Sequence, residues 1–190
     1  MQKSNLHRVI YGLIIALCVA VDQWTKQLAV LYLKPIGSVT LLRIPYIGDV
    51  LHLTYSTNDG AAFGMLDDHP WVFMVFSTVA ILALGVYLFR GVAYLADKRA
   101  DGTYPPIDLF GGLAFSLIIG GGIGNMIDRI ALQYVVDFIG FSLPRIGFHF
   151  AIFNGADSCV TVGAVLLIVH LIMILVRKKD KTEKTNSKEQ

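Results

Sequence analysis

Charged side chains are scarce in this chain. Only 16% of its 190 residues are charged, whereas 55% are hydrophobic and the mean hydropathy is +0.61. Soluble domains carry about a quarter charged residues, so this excess of apolar side chains requires a solvent other than water. The composition argues against an ordinary soluble globule and predicts a protein of the lipid bilayer.

Glutamate and cysteine are also rare. Both glutamates, Glu183 and Glu189, lie in the last few residues, so every acidic side chain before them is an aspartate. Several of these aspartates lie in or beside apolar runs, where a carboxylate is costly. The two cysteines, Cys18 and Cys159, both fall in predicted membrane segments, which favours two small packing residues over a disulfide framework.

Long apolar runs dominate the sequence. A helix needs about 20 apolar residues to cross the hydrocarbon core of a bilayer. Four stretches qualify: residues 9–33, 71–89, 107–127 and 158–176. The first is interrupted by polar residues and has a basic end, so a cleaved signal peptide is an alternative. Residues 27–33 continue its helical pattern beyond the interruption, which favours a span.

Basic residues are distributed unevenly between the segments outside the spans. Lys3, Arg8, Arg90, Lys98, Arg99, Arg177, Lys178, Lys179, Lys181 and Lys184 fall on one side of a four-span topology, and Lys34, Arg43, Arg129 and Arg145 on the other. Positive residues concentrate in cytoplasmic loops. We therefore expect cytoplasmic termini and outward-facing loops at residues 34–70 and 128–154. Residues 1–176 would form one membrane-embedded domain, and residues 177–190 a charged cytoplasmic tail.

Two short strands are predicted in the first outer loop. Residues 39–42 and 50–55 flank the turn-forming Pro45 and Gly48, and both are rich in strand-favouring residues. A turn at residues 57–60 then ends the second strand. The predicted fold is an all-α integral membrane protein with four transmembrane helices and a small extracytoplasmic β-sheet.

Polar residues lie in clusters where they are expensive, since an ionisable group at membrane depth costs ~3 kcal/mol even on insertion scales. Asp22 and Lys26 are four residues apart and share a helix face, either as a self-neutralising pair or as part of a site. Asn58 and Gly60 belong to a stretch of small residues that allows close backbone approach, although an ordinary turn has the same composition.

A third cluster ends the third span. Asn125, Asp128 and Arg129 lie at i, i+3 and i+4, so all three project to one side of a helix. Glycines at residues 120–124 permit tight helix packing beside them. An ion pair of Asp128 with Arg129 or another cation would be a purely structural alternative.

The fourth cluster contains two aspartates in apolar surroundings. Asp137 lies in V-V-D-F-I, which has the pattern of a buried or interfacial strand. Asp157 follows Asn154 at the start of the last span, where a simple helix-start residue favoured by the helix dipole is an alternative.

Other chemistries have weaker signals. The five histidines have no metal-ligand spacing, and no serine-nucleophile motif surrounds Ser158. A serine–lysine peptidase using Lys26 stays open, because spacing does not decide it. A proton- or ion-coupled carrier with an aspartate relay is the rival from another class, although such carriers tend to contain internal repeats and none is visible. A non-enzymatic scaffold is the third alternative.

Taken together, the clusters resemble the lipoprotein signal peptidases, or signal peptidase II. The motifs follow the family order: D-Q-W-T-K at residues 22–26, N-D-G-A-A-F-G at 58–64, G-N-M-I-D-R at 124–129, V-V-D-F-I at 135–139 and F-N-G-A-D at 153–157. The resemblance implies an aspartyl endopeptidase of the bacterial inner membrane. It would remove the signal peptide from diacylglyceryl-modified prolipoproteins by cutting just before the lipidated cysteine.

The resemblance also implies roles for individual residues. Asp137 and Asp157 match the catalytic pair. The positions that support the site or hold substrate are Asp22, Lys26, Asn58, Gly60, Asn125, Asp128, Arg129 and Asn154. By the predicted topology, the polar clusters lie towards the outer leaflet. The family further implies a mobile helix within residues 137–149. Two-carboxylate chemistry requires no metal or organic cofactor, and the expected partners are a lipidated prolipoprotein and membrane lipid, with no nucleic acid and a monomeric state.

Overall fold

The structure is a computed structural model that describes residues 3–59, 70–98 and 109–186. Its helices are α1 (Lys3–Leu28), α2 (Lys34–Ile36), α3 (Pro70–Lys98), α4 (Leu109–Leu132) and α5 (Gly155–Asn186). Its strands are β1 (Ser38–Ile44), β2 (Gly48–Asn58), β3 (Val135–Leu143) and β4 (Phe148–His149). A π-helical turn (Ala29–Leu33) joins α1 to α2, and a 3-10 turn (Pro144–Ile146) joins β3 to β4.

Three segments of the described chain have the length and composition of a membrane-spanning helix. They are Leu6–Ile36, Leu109–Leu132 and Gly155–Val176, which match the predicted spans at residues 9–33, 107–127 and 158–176. The apolar stretch described within α3, Met74–Arg90, is shorter. A span at residues 71–89 therefore stays a prediction.

Helix α4 occupies the centre of the helical bundle and packs against α1, α3 and α5. In the apolar 18-residue stretch of α4, 50% of the residues are buried. The corresponding stretches of Leu6–Ile36 and Gly155–Val176 are each only 11% buried. Glycines permit this packing, because a Cβ at Gly121 would overlap the backbone carbonyl oxygen of Ala156 in α5. The two cysteines are both free, as predicted.

The four strands form one antiparallel sheet in the order β1-β2-β3-β4. The predicted strands at residues 39–42 and 50–55 are confirmed, and both are longer in the structure. Strands from the two predicted outer loops are hydrogen-bonded neighbours, so both loops lie on the same side of the helices.

The expected helix within residues 137–149 is wrong. This segment is occupied by β3, the 3-10 turn and β4. β3 pairs with β2 along most of its length, with Asp137 opposite Ser56 and Ile139 opposite Leu53. This pairing gives hydrogen-bond partners to the backbone groups of β3, which is rich in β-branched and aromatic residues. A separate helix in this segment would leave the backbone groups along that edge of β2 without these partners.

The sheet is attached to α1 through the π-helical turn. Ala29 and Leu33 of this turn are buried against Val136 and Phe138 of β3. One extra residue in a helical turn re-aims the side chains that follow it, and here they point onto the sheet. The contact places Asp137, which lies between the two β3 residues, directly beside the helical bundle.

Candidate active site

The carboxylates of Asp137 and Asp157 meet at one residue, Asn154. The Asn154 Nδ2 group donates to Asp137 Oδ1 at 2.7 Å, and the Asn154 backbone N–H donates to Asp157 Oδ2 at 3.2 Å. Asn154 is fully buried and Asp137 is 2% exposed. Two aspartates that are far apart in the sequence therefore share a single buried partner.

Asn154 and Asp157 also cap the first turn of α5. Asn154 Oδ1 accepts the backbone N–H of Asp157 at 2.9 Å, while Asp157 Oδ2 accepts the backbone N–H of Asn154. This is the reciprocal arrangement of a capping box. The helix-start role that the sequence left open for Asp157 is thus observed, and it holds the carboxylate in one orientation.

Asn125 of α4 contacts the remaining oxygen of Asp157. Its Nδ2 group donates to Asp157 Oδ1 at 2.7 Å. Its Oδ1 atom accepts from Lys26 Nζ at 2.9 Å and from Asn154 Nδ2 at 3.0 Å. Asn125 therefore links α1, α4 and the start of α5 at the site.

Asn58 reaches the site from the end of β2. Its Nδ2 group donates to Asp137 Oδ2 at 3.1 Å. Asn58 is opposite Val135 in the pairing of β2 with β3, and this pairing brings it beside Asp137. Gly60, the other residue predicted from this motif, lies outside the described residues.

Lys26 is buried at the centre of an ionic cluster. Its ammonium nitrogen lies 2.8 Å from Asp22 Oδ2 and 3.0 Å from Asp128 Oδ2. With Asn125, these contacts use the three N–H donors of the ammonium group. Both alternatives for the Asp22–Lys26 pair therefore hold, since the pair neutralises itself within α1 and also contacts the site.

Asp22 and Asp128 each bind a backbone N–H next to one of the two aspartates. Asp22 Oδ1 accepts from Ala156 at 2.8 Å, and Asp128 Oδ2 accepts from Val136 at 3.1 Å. A Cβ at Gly124 would lie 2.5 Å from Asp22 Oδ2, so the glycine leaves the space that Asp22 occupies.

Gln23 is a member of this network that sequence reasoning missed. Its Nε2 group donates to Asp128 Oδ1 at 2.8 Å and to the Gly124 carbonyl at 3.1 Å. The signal was available, because a glutamine inside an apolar span is itself expensive. Its position next to Asp22 concealed it, since neighbouring residues on a helix do not share a face.

Arg129 supplies a second positive charge. Its guanidinium interacts electrostatically with Asp157, Asp137 and Asp128. The site therefore holds Asp22, Asp128, Asp137 and Asp157 together with two cations.

The carboxyl group of Asp137 binds a proton more tightly than an exposed aspartate does. Burial raises its pKa from 3.8 to about 6, the hydrogen bond from Asn58 opposes this rise, and the negative charge of Asp157 adds to it.

A cleft of about 450 Å³ opens between α3, α4 and α5 beside the site. Most of its lining is apolar, and includes Phe76 and Ile81 of α3. Asn125, Arg129 and Asp157 also line it. A mostly apolar cleft with a few convergent polar groups has the composition of a ligand-binding site.

The chain is similar to known proteins over most of its length. The family model for signal peptidase (SPase) II matches residues 14–173. A lipoprotein signal peptidase of Geobacillus thermodenitrificans is 36% identical over 176 residues, covering 93% of this chain and 98% of the relative. One from Streptococcus pyogenes is 40% identical over 162 residues, covering 85% and 92% respectively.

Two solved structures are also similar. Both are described as a bacterial membrane enzyme determined by the in meso method. The 2.3 Å structure has a TM-score of 0.65 at 32% identity and covers 89% of this chain and 91% of its own. The 1.9 Å structure has a TM-score of 0.61 at 33% identity and covers 85% and 92%.

Proposed function

This chain belongs to the signal peptidase II family, and on that premise we propose that Asp137 and Asp157 are its catalytic pair. The protein is a membrane aspartic protease that removes signal peptides from prolipoproteins. This membership favours a peptidase over the ion-coupled carrier that the aspartates alone left open. The observation that carries the proposal is the shared contact of both carboxylates with Asn154.

The proposed reaction uses the pair as acid and base. The ionised carboxylate takes a proton from water, and the resulting hydroxide attacks the scissile carbonyl carbon. The protonated carboxylate donates a hydrogen bond to the carbonyl oxygen. When the tetrahedral intermediate collapses, the C–N bond breaks and a proton passes to the leaving amine. The two aspartates supply all the acid and base groups that these reaction steps require.

The apolar cleft supports a precursor with a lipid-anchored cleavage site as the substrate. Its lining from α3, α4 and α5 suits the apolar part of a signal peptide. The polar groups at Asp157 would receive the peptide bond just before a diacylglyceryl-modified cysteine, whose acyl chains stay in the surrounding lipid. We propose that one copy of the chain suffices, since both aspartates come from it.

The proposed location is the bacterial inner membrane with both termini in the cytoplasm. Helix α3 would be the fourth span, and the sheet and active site would lie towards the outer leaflet. The uneven distribution of basic residues supports this orientation, as does the single sheet built from both predicted outer loops. Residues 1–176 would form the membrane-embedded domain, with residues 177–190 as the cytoplasmic tail.

The test is cleavage of a lipidated precursor by the purified protein in detergent. We expect Asp137→Asn and Asp157→Asn each to lower kcat by at least about 10³-fold, with the protein still folded. Asp49→Asn is the matched control, because Asp49 lies on β2 with its side chain 46% exposed and should leave turnover unchanged. Near-normal turnover of either site variant would refute the pair.

The proposed lipid requirement has a separate test. An otherwise identical precursor without the diacylglyceryl group should be cleaved far more slowly by the unmodified enzyme. Equal cleavage rates for the two precursors would remove the lipid from the proposal and leave the pair intact.

A further inference from the structure

Two hydroxyl groups line the cleft between α3, α4 and α5. Ser77 lies on its α3 wall and Thr161 on its α5 wall. Most of the remaining lining is apolar, and its other polar side chains, Asn125, Arg129 and Asp157, already belong to the polar network of the site. Within the described lining of the cleft, these two hydroxyls are therefore the polar groups that the network does not use.

A hydroxyl on a membrane helix is usually satisfied by its own helix. Serine and threonine donate to a backbone carbonyl oxygen one turn earlier, which removes the cost of an unpaired polar group in hydrocarbon. In the described part of the helices, this bond is made at 2.7 to 3.0 Å by Thr25, Thr78, Ser116 and Ser158. Among the same described residues, the hydroxyls of Ser77 and Thr161 have no hydrogen-bond partner. Both are thus available to a ligand in the cleft.

The proposed substrate brings unpaired backbone groups into this cleft. A peptide bond inside a helix has its carbonyl oxygen and its N–H bonded to the neighbouring turns. The segment at the scissile bond must leave the helical conformation before water can attack the carbonyl carbon. In a bilayer, the released N–H and C=O groups are costly until they find new partners. A hydroxyl both donates and accepts, so it can bind either half of an exposed peptide group.

The spacing on α5 gives Thr161 a definite height in the cleft. Thr161 follows Asp157 by four residues, so the two share a helix face and are separated by about 6 Å along the axis. An extended chain rises about 3.3 Å per residue, so two residues of substrate cover this distance. In the proposed orientation, α5 runs from Asp157 towards the cytoplasm, which is also the direction from the cut back into the signal peptide. Thr161 is therefore level with the peptide bond two before the scissile bond.

Ser77 lies on the opposite wall, close to the height of Asp157. The hydroxyl of its neighbour Thr78 is 3.8 Å from the sulfur of Met126 in α4. Met126 follows Asn125, which donates to Asp157 at 2.7 Å. The two hydroxyls thus stand on facing walls at successive heights, which suits a segment that passes between them in an extended conformation.

We propose that Thr161 and Ser77 are substrate-positioning residues whose hydroxyls bind the unwound backbone of the signal peptide. Thr161 binds the peptide bond two before the scissile bond, and Ser77 binds closer to the cut. This inference rests on the proposed function, because it takes Asp157 as a catalytic residue and the cleft as the place of the signal peptide. Contacts with the backbone do not depend on side chains, so they serve signal peptides of different sequence.

Thr161→Val tests the proposal in the cleavage assay with a lipidated precursor. Valine keeps the branched shape of threonine and removes the hydroxyl. We expect kcat/KM to fall about fivefold to tenfold, the value of one hydrogen bond. The unfolding temperature should not fall, because the hydroxyl has no partner among the described residues of the free enzyme. Wild-type kcat/KM in this variant would overturn the proposal.

Two further variants separate binding from structure. Thr161→Ser keeps the hydroxyl and should keep most of the activity, whereas Ser77→Ala removes the second hydroxyl and should lower kcat/KM by a similar factor. If Thr161→Ser loses as much activity as Thr161→Val and both unfold at a lower temperature, Thr161 has a structural role and the proposal is wrong.

A synthetic lipidated precursor with one ester bond locates the contact. The ester replaces the peptide bond two before the scissile bond, so it lacks the N–H and has a weaker acceptor. It should be cleaved about fivefold more slowly than the amide precursor by the unmodified enzyme. Thr161→Val should cleave the two precursors at nearly the same rate, because its contact is already lost. Equal slowing in both enzymes would refute the contact at this bond.

Thr78→Val is the matched control. Thr78 is adjacent to Ser77, but its hydroxyl donates to the Met74 carbonyl at 2.7 Å, and its loss should leave kcat/KM unchanged. Failure of the catalytic pair remains distinguishable, because the two aspartate-to-asparagine variants test it directly. If both of these are inactive while Thr161→Val cleaves at the wild-type rate, only the role of the hydroxyls is refuted.

Discussion

Asp22 and Asp128 have equivalent positions on the two sides of the site. Each carboxylate accepts the backbone N–H of the residue immediately before one of the proposed catalytic aspartates, at 2.8 Å for Asp22 and 3.1 Å for Asp128. Lys26 joins the two carboxylates. The backbones that carry the proposed catalytic pair are therefore positioned by one buried ion cluster.

Replacing Asp22 should show how much this anchoring contributes. Asp22→Ala removes both the acceptor for Ala156 and a partner of buried Lys26, so we expect a loss of about 3 kcal/mol in the free energy of unfolding. Asp22→Asn keeps an acceptor oxygen and should lose less. Chemical or thermal unfolding in detergent measures both.

Arg43→Ala provides the comparison for Asp22. The Arg43–Asp49 pair is at 3.5 Å and its side chains are 78% and 46% exposed. Its loss should cost less than about 1 kcal/mol. Similar costs for Asp22→Ala and Arg43→Ala would contradict the anchoring role of the buried cluster.

Substitutions at Asn154 should separate helix capping from catalysis. Serine is also a good N-cap residue, so Asn154→Ser should keep most of the stability that Asn154→Ala loses, about 1 kcal/mol. Serine cannot reach Asp137 as the amide does, so both variants should lose at least about 100-fold in kcat because the Asp137 carboxylate is no longer held in place. Cleavage and unfolding assays on the same preparations check this. Full activity in Asn154→Ser would show that the contact with Asp137 is dispensable.

Asp137→Asn should stabilise the protein in a pH-dependent way. The pKa of Asp137 is raised from 3.8 to about 6 in the folded state, so the folded protein binds the proton more tightly than the unfolded chain. Ionisation of Asp137 therefore destabilises the folded protein. This cost is absent below a pH of about 4, where the carboxyl group is protonated in both states, and is complete above about 6. We expect the variant to gain on the order of 2 kcal/mol at pH 8 and nothing at pH 4.

Thermal unfolding at these two pH values measures the effect, with Asp49→Asn as the exposed control. An equal gain at both pH values would argue against a raised pKa for Asp137.

Gly121→Ala should disturb the site through the backbone of α5. A Cβ there would overlap the Ala156 carbonyl oxygen and lie 2.9 Å from Val160 Cγ2, so the first turn of α5 must move together with Asp157. We expect a loss of at least about tenfold in kcat and a lower unfolding temperature. Gly85→Ala has open space around it and should be neutral or stabilising by up to about 1 kcal/mol. Wild-type behaviour of both variants would contradict close packing at Gly121.

The sequence predicts the spans and the polar residues of the site for a simple reason. Apolar length reveals a membrane helix, and an aspartate or lysine inside one is conspicuous because of its cost. Three spans, the two strands of the first loop and a strand-like setting for Asp137 could be predicted in this way. The residue set of the cluster followed from the family motifs.

Partners in space were harder to predict. The pairing of β3 with β2 is a long-range contact, and the expected helix within residues 137–149 failed for that reason. The contact between Asp128 and the Val136 N–H depends on where β3 begins, and the role of Gln23 depends on the packing of α1 against α4. Spacing within one segment carries no information on such contacts.

The residues of the polar network are synthesised one after another, and their order along the chain has a consequence for membrane insertion. Asp22 and Lys26 enter the bilayer in the first span, before Asn125 and Asp128 have been synthesised. Because they pair within α1 at 2.8 Å, the charge is already neutralised when that helix inserts alone. The proposed acid–base pair is complete only when Asp157 is synthesised with the last helix, so an unfinished chain would be unable to hydrolyse peptide bonds by the proposed mechanism.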